Sequence, residues 1–294
     1  DQFDGDGGTS RTFSRGVLGV TFASVGNSIP AVFWTLYHII ENKDAYKKIQ
    51  QEVQKVIHGK KQQKVKESDN NDTNSNSNSN NEDGHNLFTL QELDQMVYLK
   101  SAFTEALRVY IGSFQTREAV TDFVFDPKKK GQSKYFIKKG TRIMAFMATL
   151  HYDPDIFDNP EVYRYDRFAP TIVTISTTKN DSNDNDSNNG DETVVVQKVV
   201  PPVFTKNGKR IAEPVRAFGG GSHLCPGRKF ISYEIQAFVA LLITKFDMKL
   251  VGSTEGGGTL DNNNNRPEID YAMQGVGVSH PKKDVAIEIR LKKE

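Results

Sequence analysis

The chain has 294 residues, with 38 Lys and Arg against 37 Asp and Glu; the net charge of +1 points to neither nucleic acid nor an acidic partner. Hydrophobic residues make up only 36%, but polar tracts explain most of that shortfall, so a sizeable core is still expected. One cysteine excludes an internal disulfide framework and fits a reducing compartment.

The opening DQFDGDGGTSR has no basic start, apolar stretch or cleavage site, so no signal peptide is expected. It also lacks an initiator methionine and reads as the cut beginning of a longer chain. Gly16–Ile40 carries no charged side chain and is long enough to span a bilayer. Thr21, Ser24, Asn27, Ser28, Pro30, Thr35 and His38 interrupt it too often for a lipid-facing helix. The expectation is a long helix through the middle of a large domain, irregular near Pro30, which has no N–H to donate.

Asn42–Ile57 reads as an amphipathic helix, with Ala45, Ile49, Val53 and Val56 at three-to-four spacing. The tract SDNNDTNSNSNSNNEDGHN cannot bury a core. It and two similar tracts predict disordered insertions at about 66–86, 176–193 and 255–266. Thr89 opens a helix to Tyr110 with a capping box completed by Glu92, and Leu93, Met96, Val97, Phe103 and Leu107 form its buried face. Within it, Glu105 and Arg108 share one face, an arrangement common on exposed surfaces too.

Ala119–Phe125 and Tyr135–Ile137 have strand composition, a Lys139-Gly140 turn follows, and Thr141–Leu150 suits strand or helix. Tyr165-Asp166-Arg167-Phe168 follows the stretch HYDPDIFDNPEVY. Phe230–Phe246 is an apolar helix, and Val285–Leu291 alternates like a half-exposed strand.

The most informative stretch is Phe218-Gly219-Gly220-Gly221-Ser222-His223-Leu224-Cys225-Pro226-Gly227-Arg228. Three glycines permit a tight turn and close approach to a flat ligand. The sulfur sits just ahead of a helix N-terminus, where backbone N–H groups and the dipole favour a thiolate. Such a thiolate suits an axial iron ligand. From cysteine and glycines alone, an inert cysteine on a turn remains open.

The spacing Phe218-x-x-Gly221-x-x-x-Cys225-x-Gly227 resembles the haem-binding signature of the cytochrome P450 family. Glu105-x-x-Arg108 and the Arg167 motif resemble two further family motifs, in the family's order. The resemblance implies that Cys225 ligates the iron of haem b (iron protoporphyrin IX) and that Phe218 packs beside the sulfur. It implies that His223 and Arg117 contact the haem propionates, and that Glu105, Arg108 and Arg167 hold the core. Phe22–Pro30 resembles the family's oxygen-activating helix, with Gly26 and Asn27 where an acid and a threonine usually stand. Either Asn27 orients a ligand there, or it bonds the backbone beside Pro30. That substitution resembles the branch of sterol and oxysterol 7α-hydroxylases, sterol 12α-hydroxylase and prostacyclin synthase, as does FGGGSHLCPGRKF.

The implied fold is mainly α with small β-sheets, residues 1–294 forming the part of one catalytic domain from the oxygen-activating helix to the C-terminus. The implied activity is hydroxylation of an apolar small molecule, a sterol or other lipid, with dioxygen and electrons from an NADPH-dependent reductase. Two alternatives stand: an isomerase of the prostacyclin synthase type, and a truncated, non-catalytic fragment. Family members carry an N-terminal membrane anchor, so endoplasmic-reticulum membrane is implied for the full-length protein, with no anchor or signal in this chain.

Overall fold

The computed structural model describes residues 8–69, 88–128, 131–178, 193–251, 266–273 and 277–293. Helix α1 (Gly8–Glu41) is longer than expected and runs unbroken through Pro30. Its polar side chains bond the preceding turn: Ser24 Oγ donates to the Val20 carbonyl at 2.8 Å and Asn27 Nδ2 to the Ala23 carbonyl at 3.3 Å. Ala31, Trp34, Tyr37, Ile39 and Ile40 are buried, whereas Phe13, Val17, Leu18, Val20 and Phe22 are exposed. The expected burial therefore holds only for the C-terminal part. Thr12–Glu41 is the helix among the described residues that is long and apolar enough to cross a membrane. Length and composition suit a membrane span as well as a core helix; burial from Pro30 onward is what a core helix has.

Asn42 Oδ1 accepts from the Ala45 N–H at 3.0 Å and opens α2 (Lys43–Asp69), which continues well past Ile57. The expected single helix from Thr89 is two: α3 (Leu90–Gln95), with the capping box on Thr89, and α4 (Val97–Tyr110). The break is at Met96, with φ −82° and ψ 71°. It frees the first amides of α4, and Glu52 of α2 occupies them, accepting from the N–H groups of Tyr98 at 2.9 Å and Leu99 at 3.2 Å.

The strand expected over Ala119–Phe125 is also divided. Strand β1 (Phe114–Glu118) stops where Ala119 closes a turn with Gly140 and Thr141, and β2 (Phe123–Phe125) starts beyond it. β3 (Tyr135–Ile137) pairs with β2, and β4 (Arg142–Phe146) with β1, both antiparallel. Thr141–Leu150 thus holds β4 and the start of α5 (Ala148–His151). β5 (Thr171–Thr178) and β6 (Thr193–Val200) form a hairpin that the sequence reading did not anticipate. β7 (Thr205–Lys206) and β8 (Lys209–Arg210) flank Asn207 and Gly208, both at positive φ. Helix α6 (Arg228–Lys245) leads into β9 (Phe246–Leu250), which pairs with the terminal β10 (Ile287–Leu291). The predicted insertions lie mostly outside the described residues; at their edges α2 reaches Asp69 and the β5–β6 strands reach Thr178 and Thr193.

The core forms where the C-terminal part of α1 meets α2, α4 and α6, with Trp34, Ile49, Leu99, Ile235 and Ile243 fully buried. The architecture is mainly helical, with two-stranded antiparallel sheets at its margin.

Candidate functional site

The loop before α6 is shaped by glycines. Gly219 (φ +82°) and Gly221 (φ +66°) adopt the left-handed backbone that L side chains resist. A Cβ on Gly219 would also lie 2.7 Å from Gln115 Nε2, so β1 runs directly against the loop. The Cys225 N–H donates to the Phe218 carbonyl at 3.0 Å and closes the turn. Arg228 Nη1 donates to the Cys225 carbonyl at 3.0 Å, tying the loop to the first turn of α6, whose N-cap is Gly227. Cys225 is a free, half-buried thiol. Phe218 is half-buried and packs against the core; His223 is exposed at the end of the short 3₁₀ turn Gly221–His223.

This loop suits a planar iron-bearing group. A Cβ on Gly227 would stand 3.9 Å from Cys225 Sγ, so glycine leaves that flank of the sulfur open. Among the described residues no three His, Cys, Asp or Glu side chains gather to hold a metal. A single sulfur donor fits a metal whose remaining ligands belong to a macrocycle.

A buried ion cluster is built on α4. Glu105 accepts from Arg108 Nε at 2.7 Å and Nη2 at 2.8 Å, from Arg167 Nε at 2.8 Å, and from the Arg164 N–H at 3.0 Å. Arg167 spends its other donors on the carbonyls of Asp158, Asn159 and Val162. Sequence reasoning missed His151, quoted only as part of a flanking stretch. Its carbonyl accepts from Arg108 Nη1 at 2.7 Å and its Nε2 from the Arg216 N–H at 2.9 Å. That places the proton on Nδ1, which is buried without a partner among the described residues. Burial, then the Arg108 charge, pushes the His151 pKa down to about 4. A continuous set of bonds thus runs from Glu105 through Arg108 and His151 to Arg216, two residues before Phe218. No signal in the sequence marked it, because its burial is set by tertiary packing.

The other predicted residues lie around this centre. Arg117 is exposed on β1, on the same strand face as Gln115, and its Nη1 donates to the Thr116 carbonyl at 2.8 Å. Gly26 and Asn27 are half-buried on α1, which packs on α4 and α6. The Asn27 amide is engaged by backbone: besides the Ala23 bond, its Oδ1 accepts from the Val278 N–H at 3.1 Å.

A family model described as Cytochrome P450 matches residues 4–263. The chain is 26% identical over 278 residues to 25-hydroxycholesterol 7-alpha-hydroxylase of Rattus norvegicus, covering 94% of this chain and 53% of that protein. It is 28% identical over 279 residues to Cytochrome P450 7A1 of Sus scrofa (95% and 45% covered), and 26% over 282 residues to prostacyclin synthase of Bos taurus (95% and 45%). The chain spans about half the length of these curated relatives.

Proposed function

This chain belongs to the cytochrome P450 family, whose cofactor is a haem iron, and from that membership we propose that the whole protein is a haem-thiolate monooxygenase. Its substrate is an apolar small molecule, a sterol or another lipid, and its electrons come from an NADPH-dependent reductase. The cofactor is haem b, and the full-length protein works at the endoplasmic-reticulum membrane. The observation that carries this reading is Cys225 on its glycine loop, pinned to Phe218 and α6 with one flank of the sulfur open. Similarity to relatives named for hydroxylating sterols supports the substrate class.

When bound, the haem supplies the activation of dioxygen and the insertion of one oxygen atom into a C–H bond. Cys225 would hold the iron through Sγ, with Phe218 beside it and with Gly221 and Gly227 adding no side chain to the loop. His223 and Arg117 would pair with the propionates. Glu105, Arg108 and Arg167 keep the ground under the loop rigid. On α1, Gly26 leaves space, and Asn27 orients water by hydrogen bonding. An amide neither gives nor takes a proton near neutral pH, so Asn27 does not replace an acid–alcohol relay. That feature permits an isomerase as the second reading, and the likeness to prostacyclin synthase supports it; activity without a reductase would favour it.

The test is a carbon monoxide difference spectrum of the haem-reconstituted, dithionite-reduced chain, with Cys225→Ala as control. A strongly red-shifted Soret band that vanishes in the variant is the expected result. A band that persists without the thiol would overturn Cys225 as ligand. Failure to take up haem would make this chain alone a non-catalytic piece.

A further inference from the structure

The segment Gly277–Ser279 is gripped from two sides. On one, the Gly112 N–H donates to the Gly277 carbonyl and the Ser279 N–H to the Tyr110 carbonyl, both at 2.8 Å, with Ile111 bridged to Val278. On the other, two side chains of α1 reach it. Trp34 Nε1 donates to the Ser279 carbonyl at 2.7 Å, and Asn27 Oδ1 accepts from the Val278 N–H at 3.1 Å. The segment is therefore a clasp between α1 and the C-terminal end of α4.

Two observations make Gly277 the key of the clasp. Its φ of +148° belongs to a region open essentially to glycine. Independently, a Cβ there would lie 1.7 Å from Asn27 Oδ1. The Asn27 amide has only one workable orientation. Its oxygen faces the Val278 N–H, and its Nδ2 donates to the Ala23 carbonyl at 3.3 Å. A flipped amide would set N–H against N–H.

Resting on the monooxygenase reading above, we propose that Gly277 and Val278 are positioning residues that lock the Asn27 carboxamide with Oδ1 on the Val278 N–H, so that its second Nδ2 hydrogen is held in one direction for a ligand. The group it addresses is an acceptor: a water oxygen, or a carbonyl or hydroxyl oxygen on the substrate. Gly277 acts by having no side chain, and Val278 by its backbone donor.

The test uses the full chain and needs no cofactor for its decisive arms. Hydrogen exchange at the Val278 amide is compared in the parent, Asn27→Leu and Asn27→Asp. Leucine lacks the acceptor and is expected to cut protection roughly tenfold or more, while aspartate, which still accepts, preserves it. In ¹⁵N-asparagine spectra the Asn27 side-chain pair, assigned by its absence in Asn27→Leu, is well dispersed in the parent and collapses toward free-amide shifts in Gly277→Ala. The melting-temperature loss from Gly277→Ala is smaller in an Asn27→Ala background. Equal protection in Asn27→Leu and the parent, or additive effects of the pair, would overturn the clasp. If Gly277→Ala does not fold, the exchange comparison at Val278 decides alone. Loss of the carbon monoxide band with the clasp intact would count against the enzymatic reading only.

Discussion

The Glu105 carboxylate accepts from the Arg167 guanidinium at 2.8 Å across 62 positions of sequence, and both side chains are out of solvent. Arg108 shares the same carboxylate. Two guanidiniums converge on one acid while other donors of each find backbone carbonyls. Glu105→Gln removes the carboxylate charge that both of them pair with. It is expected to destabilise by about 3–5 kcal/mol, the usual cost of breaking a buried ion pair from one side. Urea unfolding of the two proteins side by side checks this; a loss under about 1 kcal/mol would mean the cluster behaves as a surface pair.

Glu52 and His151 predict opposite pH slopes. Burial lifts the Glu52 pKa to about 7 despite the amides it caps. The native state then holds a proton that the unfolded chain has released, so this contribution is full below an unfolded pKa of 4.5 and fades as pH rises through about 7. His151, pushed from 6.5 down to about 4, does the reverse. The unfolded chain gains a proton the native state refuses, so its contribution is full above 6.5 and fades as pH falls toward about 4. Each slope is bounded by about 1.4 kcal/mol per pH unit. Unfolding free energies across this range should rise more steeply with pH in Glu52→Gln than in the parent, and flatten in His151→Gln.

Gly219 and Gly221 share a positive φ but not a surrounding. Among the described residues nothing lies within 4 Å of where a Gly221 Cβ would stand, while Gln115 Nε2 blocks that of Gly219 at 2.7 Å. Gly221→Ala should cost the backbone strain alone, about 1–2 kcal/mol, and Gly219→Ala more. Adding Gln115→Ala should recover part of the loss at 219 and none at 221. Thermal unfolding of the five variants reads this directly, and recovery at both sites would refute the contact.

Trp34 is fully buried, stacks on Tyr110 with ring centroids 3.7 Å apart, and donates to Ser279. Trp34→Phe deletes the donor and part of the stacked area, for an expected loss of about 2–4 kcal/mol. Loosened exchange protection at the Ser279 amide should accompany it.

Much of the helical frame was legible in the residues. Ala45, Ile49 and Val53 are buried as their spacing required, and Thr89 with Glu92 forms the capping box its order announced. Local chemistry is enough there, because helix periodicity and capping involve neighbours along the chain. The break at Met96 was not legible, since the carboxylate that stabilises the freed amides belongs to α2, 46 residues earlier. The β5–β6 hairpin was missed because only its inner ends fell in a tract read as disordered, and the strands rest on pairing Thr171–Thr178 with Thr193–Val200 across the intervening chain.

At the candidate site the same division applies. The amino-acid order by itself determined the family, the cysteine loop and the identity of the Glu105, Arg108 and Arg167 set, because each is a pattern of residue types at short spacing or in chain order. Only the tertiary structure decided that His151 links the ion cluster to the loop, and that Gly277 meets Asn27. Those contacts join residues far apart in sequence, and a single close approach between them leaves no periodic trace for a one-dimensional reading to detect.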